Sequence, residues 1–177
     1  MPHRDVFRQL RTDHRHVLAE LPQLEREAGI AGRRGKAPPA GGEALPRILE
    51  KLARQFDTHM AAEEDVLFPL LAQALPETLT RLEPLSLEHQ DLRGLLESLT
   101  HWMHEPASAE RDEQIAVQTR DFVDLLRIHV RKEEVAVFRL AERVLGTEQL
   151  EEVAARLARG RVTRRRRAGG KPKGSRS

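Results

Sequence analysis

Two copies of a histidine–glutamate motif stand 70 residues apart in the chain. His59 is followed four residues later by Glu63, and His129 is followed four residues later by Glu133. In an α-helix, side chains four residues apart share one face and are separated by about 6 Å along the axis, so each histidine and its glutamate can reach one metal ion together. For a single copy, a hydrogen-bonded pair on the helix surface is the commoner interpretation.

Apolar residues surround both motifs at helical spacing, which favours buried positions. Glutamates almost never enter a core unless they are paired or bound to a metal. The motifs therefore predict an internal metal site, and the alternative is a purely structural bundle in which glutamates satisfy buried histidines. The apolar residues are Leu52, Phe56, Val66 and Leu67 around His59, and Phe122, Leu125, Leu126, Ala136 and Val137 around His129.

Two further histidines lie on apolar helix faces and complete an internal repeat. His14 follows Leu10 by four residues and precedes Val17 by three, and His89 has leucines at the same offsets. An acidic residue precedes each of the two. Two related helical hairpins packed about a local twofold axis would form a four-helix bundle. Its centre is predicted to receive six polar side chains: His14, His59, Glu63, His89, His129 and Glu133.

The six side chains suit two first-row metal ions. The chain has no cysteine, which excludes disulfides, thiolate zinc sites and iron–sulfur clusters held by the chain. Imidazole and carboxylate ligands favour iron and are also compatible with manganese or zinc. Symmetry assigns His14 and His59 to one ion and the other two histidines to the second, with both glutamates bridging. An oxide or hydroxide bridge would offset most of the remaining positive charge.

This pattern of ligands closely resembles the hemerythrin-like, or HHE cation-binding, family over residues 5–145. The resemblance implies a non-haem centre of two iron ions, oxo- or hydroxo-bridged, that binds or reacts with O2, NO or peroxide. Sensing, storage and peroxide consumption are all compatible with it, so enzymatic activity is left open. The rival ferritin-like bundles use a glutamate followed by a histidine three residues later. No glutamate of this chain has that neighbour.

One position departs from the oxygen-carrying hemerythrins, which place a second histidine four residues before the third-helix ligand. Leu85 stands there in this chain. Two histidines per ion would leave each ion an open or water-filled position, which argues against simple reversible oxygen transport. Glu64 or Glu134 could supply an extra oxygen to the metal. Each lies about 100° from the ligand face, however, so we expect it to be solvated or to contact the ligands instead. No role is predicted for the remaining histidines, His3, His16, His101 and His104.

Composition predicts an all-α fold, because Leu, Ala, Glu and Arg dominate and aromatics are scarce. We expect an antiparallel up-down four-helix bundle over 1–146, a short fifth helix over 147–160 that packs on the bundle or makes an oligomer contact, and a disordered basic tail over 161–177. The bundle helices are predicted at 4–28, 43–75, 85–104 and 110–145, with a short helical segment at 77–82 and a mobile loop at 29–42. Prolines are expected to kink or bend the first two helices, at Pro22 and Pro69.

The net charge of +2 hides a strong asymmetry. Residues 161–177 hold eight Lys or Arg and no acid, so the preceding 160 residues carry 22 basic and 28 acidic side chains. The alternative function is an iron-dependent regulatory or binding module, in which the tail contacts nucleic acid or another acidic partner through salt-dependent phosphate attraction and the bundle modulates that contact. A tail that serves only solubility is the simpler interpretation. No apolar run approaches the roughly 20 residues that span a bilayer, and the sequence starts without a secretory segment. We therefore expect a cytoplasmic protein with no membrane partner.

Overall fold

Helices are the only regular structure in the part of the chain that the structure describes, as the abundance of helix-favouring residues predicts. The computed structural model describes residues 3–30 and 42–169, with side chains for 6–30 and 42–159. Four helical rods pack in a ring, in which each rod contacts the next and the fourth contacts the first. The prediction of an all-α bundle is confirmed.

Two of the four rods are interrupted by a single π-helical turn, and one further helix follows the bundle. Connections of a few residues join the second rod to the third and the third to the fourth, so these consecutive rods are antiparallel. In chain order the elements are α1, His3–Glu27; α2, Leu45–Ala62; a first π turn, Glu63–Leu67; α3, Phe68–Ala74; a 3-10 turn, Pro76–Thr78; α4, Leu79–His104; α5, Ala109–Lys132; a second π turn, Glu133–Val137; α6, Phe138–Val144; and α7, Thr147–Gly169.

Both π turns begin at the glutamate of a His–Glu motif. The backbone N–H of Phe68 donates to the carbonyl of Glu63, five residues back, and Phe138 donates to Glu133 in the same way. Pro69 was expected to bend the second rod, but residue 139 of the fourth rod is an arginine and the π turn forms there too. The interruption therefore belongs to the repeated motif and does not require a proline.

The third rod begins earlier than the sequence predicts. α4 starts at Leu79 and runs through Pro84, so most of the separate helical segment expected at 77–82 is its first turn, and residues 77–78 belong to the 3-10 turn before it. Proline at this place removes the hydrogen bond that would reach the carbonyl of Thr80, and Thr80 is exposed to solvent, where water can replace the donor. The predicted break at this proline is wrong.

Gly29 closes the first rod with a positive φ of 75°. The N–H of Ile30 donates to the carbonyl of Glu25 at 2.9 Å, which satisfies one of the carbonyls left open at the helix end. α1 continues through Pro22 to Glu27. Most of the predicted mobile loop, residues 31–41, lies outside the described residues.

Two apolar clusters fill the bundle, one on each side of its polar centre. One cluster joins α1, α2, α4 and α5 around Leu24, Leu52, Leu99 and Phe122. The other joins the π turns, α3, α6 and the start of α1, and it includes three side chains of α7. α7 thus covers this end of the bundle, and Arg156 on α7 binds Asp65 of the first π turn at 2.7 Å.

α7 is longer than the predicted fifth helix. It was expected to end near Gly160, but it continues to Gly169, so the backbone of residues 161–169 is helical where disorder was expected. A glycine within a helix costs only about 1 kcal/mol relative to alanine, and the arginines that follow are good helix formers. The side chains from 160 onward and residues 170–177 lie outside the described residues, and the division of the chain at residue 146 stays a prediction.

No helix within the described ranges is both long enough and apolar enough to cross a membrane.

Replacing Leu150 by alanine tests whether α7 is an integral part of the core. The leucine is 1% exposed, so Leu150→Ala should lower the free energy of unfolding by about 2–5 kcal/mol. Leu87→Ala removes the same atoms from a side chain that is 53% exposed. It should change the free energy of unfolding by less than about 0.5 kcal/mol. Urea unfolding followed by circular dichroism measures both, and equal effects would contradict the packing of α7.

Candidate metal centre

The structure brings all six predicted site residues together at the centre of the bundle. Each rod contributes at least one of them, and the second and fourth rods contribute a histidine and a glutamate four residues later. All six side chains are buried, and the two glutamates are 0% exposed: His14, His59, Glu63, His89, His129 and Glu133.

The four imidazoles form two pairs. In the first pair, the Nε2 atoms of His14 and His59 are 2.8 Å apart. In the second pair, the Nε2 atoms of His89 and His129 are 2.9 Å apart. Two nitrogens that each lie about 2.1 Å from one ion at a right angle are about 3.0 Å apart, taking the zinc–imidazole distance. The spacing within each pair is therefore close to that of two neighbouring ligands of a single ion.

Both carboxylates lie between the pairs and present one oxygen to each. Oε2 of Glu133 is 3.1 Å from Nε2 of His14, and its Oε1 is 3.1 Å from Nε2 of His129. Oε1 of Glu63 is 3.3 Å from Nε2 of His59, and its Oε2 is 3.5 Å from Nε2 of His89. Among the described residues, the ligand atoms of the first pair, Glu63 and Glu133 all lie within 4.8 Å of one another, and those of the second pair group in the same way with Glu133. Glu133 is thus positioned to bridge two ions.

The four oxygens of these carboxylates are buried, and none accepts a hydrogen bond of normal geometry from the residues that the structure describes. The pKa of Glu133 is held well below its usual value: burial raises it, but the neighbouring His129 outweighs that effect, so the carboxylate is ionised. Buried ionised groups without donors are strongly unfavourable unless a cation compensates them. The donor set therefore fits a site for metal ions.

In the absence of metal, protons take up part of this negative charge. Burial lowers the pKa of His129. The charge of Glu133 and the contact of Glu133 with this imidazole outweigh burial and raise the pKa from 6.5 to about 9. Burial likewise lowers the pKa of His59, and Glu63 together with Glu133 raises it well above its ordinary value. Metal ions that bind here must displace these protons.

The first π turn reaches across the bundle to the second imidazole pair. Oε1 of Glu64 lies 2.8 Å from Nδ1 of His89, and the ring of Phe68 is nearly parallel to that imidazole, with centroids 5.9 Å apart. Arg93 donates two hydrogen bonds to Glu64, both of 2.9 Å. This glutamate therefore contacts a site histidine, as one of the alternatives from the sequence expected.

The second π turn makes the reciprocal contacts with the first pair. Oε1 of Glu134 lies 3.0 Å from Nδ1 of His14, and Phe138 stacks on the same imidazole with centroids 5.5 Å apart. The extra residue of a π turn widens the helix, so two consecutive glutamates can point to different places. One glutamate of each pair faces the centre, and the next one orients a histidine from the other hairpin.

Sequence reasoning missed one outer contact, that of Glu88. Its Oε2 lies 3.0 Å from Nδ1 of His129, and its other oxygen pairs with Lys132. The sequence contains a signal for this contact, because an acidic residue directly precedes each of the two histidines that lie outside the His–Glu motifs. The remaining histidines with described side chains, His16, His101 and His104, are exposed, and the side chain of His3 lies outside the described residues.

Comparison with known proteins agrees with this geometry. The model of the hemerythrin HHE cation binding domain matches residues 5–141. The chain belongs to this family. It is also 28% identical over 89 residues to the iron–sulfur cluster repair protein YtfE of Citrobacter koseri, a match that covers 50% of this chain and 40% of the relative. The chain therefore matches less than half the length of that relative, and no solved structure gives a significant match.

The pH dependence of stability should differ between the metal-free and the metal-loaded protein. The pKa of His129 in the metal-free protein is raised from 6.5 to about 9, so the stability it contributes is fully present below pH 6.5 and is lost as the pH rises to 9. Metal binding requires deprotonated imidazoles, so the loaded protein should gain stability over the same interval. Thermal unfolding of chelator-treated and metal-loaded samples measures both trends, and parallel trends would contradict the proton–metal exchange.

Proposed function

We propose that the protein holds two iron ions at this centre and that a small ligand, O2, NO or peroxide, binds or reacts there. The observation that carries the proposal is a set of four buried carboxylate oxygens placed between two imidazole pairs, to which no described residue donates a hydrogen bond of normal geometry. Membership of a cation-binding family supports metal binding, and the matched relative is named as an iron–sulfur cluster repair protein, which supports iron.

In this proposal the first pair holds one ion and the second pair holds the other, with Glu63 and Glu133 bridging them. Two imidazoles and two carboxylate oxygens give each ion four protein ligands, fewer than the six of an octahedral site. Leu85, four residues before His89, is buried in the apolar core and offers no further ligand. Two iron ions would supply open coordination positions and electrons for the binding or reduction of a small molecule.

The space beside the centre suits a very small ligand. A void of about 10 Å³, close to the size of one water-sized sphere, borders His14, His59 and His129. Its other walls are mainly apolar: Val17, Phe56, Met60, Leu126 and Val130, with Asp13 at one side. Such a void excludes larger substrates and keeps bulk water away from the centre, which favours a diatomic or peroxide ligand.

A second function stays open from the sequence, namely contact between the basic tail and nucleic acid or another acidic partner. It depends on the side chains of 161–177, which lie outside the described residues. Deletion of residues 161–177 should reduce retention on DNA at low salt if the tail has this role, whereas unchanged retention would remove it.

Metal analysis of protein produced with added iron tests the proposed centre. About two irons per chain are expected, with an oxo-bridge charge-transfer band near the ultraviolet. Glu133→Gln removes one bridging charge and should lose most of the metal together with part of the stability, because metal binding and folding are coupled. His101→Ala changes an exposed histidine and should retain both irons. Wild-type protein that contains no transition metal would refute the proposal.

Addition of hydrogen peroxide to the iron-loaded protein distinguishes turnover from binding. Release of O2 over many equivalents is the result expected of a peroxide-consuming enzyme, and a single stoichiometric change in absorption is expected of a sensor or store. An iron-loaded protein whose spectrum responds to none of peroxide, O2 and NO would contradict a ligand-binding role.

A further inference from the structure

The two imidazole pairs are related by the internal repeat, but their outer contacts differ. In the second pair, both Nδ1 atoms meet a carboxylate that a basic side chain holds in place. Glu64 is held by Arg93 through two hydrogen bonds of 2.9 Å, and Glu88 is held by Lys132. The imidazoles of this pair are therefore fixed in orientation from the outside as well as the inside.

The first pair lacks this support. Glu134 contacts His14 at 3.0 Å, but its side chain is 36% exposed and has no ion pair with a lysine or arginine among the described residues. The position that corresponds to Arg93 in the repeat is Leu18. The outer support of His14 thus consists of one carboxylate that is not itself anchored by a cation.

The other imidazole of the first pair has still less support. Nδ1 of His59 is buried and has no hydrogen-bond partner among the described residues. The position corresponding to Lys132 is Ala62, and the position corresponding to Glu88 is Asp13, which is one methylene shorter and accepts a hydrogen bond of 2.9 Å from Gln9. The small void described above lies beside this histidine and Asp13.

The acceptor on the outer nitrogen of a metal-bound histidine fixes its tautomer and ring orientation, and loss of such a partner commonly lowers metal affinity by about 10–100-fold. Given the two-ion centre proposed above, we infer that the ions are held unequally: the second pair, His89 and His129, forms the tighter site, and the first pair, His14 and His59, forms the weaker, exchangeable one. Arg93 and Lys132 are positioning residues for the tight site. The chain can then carry one ion firmly while the other exchanges.

Cobalt(II) titration of the chelator-treated full-length protein tests the inference, with calorimetry for affinity and visible absorption for site occupancy. The wild type should bind about two ions in two steps whose affinities differ by about 10-fold or more. Binding of fewer than about two ions would overturn the two-ion centre itself. Two steps alone would not prove unequal sites, since repulsion between two ions also separates the steps.

A matched pair of variants, which exchange the residues at corresponding positions of the repeat, separates these explanations. If the sites are unequal, Arg93→Leu should weaken the tight step by about 10-fold, and Leu18→Arg should strengthen only the weak step. If the sites are equal and merely repel, Arg93→Leu should leave the tight step unchanged and weaken the weak one, whereas Leu18→Arg should strengthen the tight step. The second pattern would overturn the inference while leaving the two-ion centre intact.

Two further variants keep the test independent of any one substitution. Lys132→Met removes the cation that holds Glu88, and it should weaken the tight step in the same way. Arg54→Leu removes an exposed cation whose one ion pair among the described residues is with Glu50 on its own helix, and both steps should remain unchanged. An unchanged tight step in both Arg93→Leu and Lys132→Met, each checked for native helicity, would contradict the role of these residues.

Discussion

Two carboxylates buried at the centre of the bundle are the constraint on which the rest of this structure depends. Glu63 and Glu133 are fully buried, and no described residue donates a well-formed hydrogen bond to their oxygens. The low pKa of Glu133 leaves that carboxylate charged, and its charge has to be compensated by cations, because an isolated buried charge would cost more free energy than the fold can supply. The surrounding features serve this requirement: apolar clusters lie on both sides of the centre, and α7 covers one end of the bundle. Family membership and the donor set both support metal ions as the compensating cations.

The π turns explain how four rods of ordinary helix can converge on so small a centre. Each turn begins at the inward-facing glutamate and directs the next glutamate, and the phenylalanine that follows the turn, toward a histidine of the other hairpin. The two hairpins are therefore joined by reciprocal contacts as well as by the shared carboxylates. Orientation of the imidazoles and closure of the bundle depend on the same short segments.

The repeat gives the centre an approximate twofold symmetry, and single substitutions between its halves break that symmetry. Arg93 and Lys132 anchor the outer carboxylates of one half, whereas Leu18 and Ala62 occupy the corresponding positions of the other. Neither difference touches the inward-facing ligands. In the two-ion centre proposed above, such a chain would keep the same inward-facing side chains while the affinities of the two sites diverge, because outer contacts determine ligand orientation.

The sequence alone determined the helical class, the repeat and the six residues that meet at the centre. These follow from periodicity: a histidine and a glutamate four residues apart on an apolar face have to point into the core, whatever the details of packing. The break predicted at Pro84 was wrong because the cost of a proline depends on whether the carbonyl that it leaves open is exposed. The tertiary structure decided the π turns, the contact of Glu88 with His129 and the environment of Nδ1 of His59, to which no described residue gives a hydrogen bond. Each depends on the distance between different rods, and a pattern along one chain segment does not contain that distance.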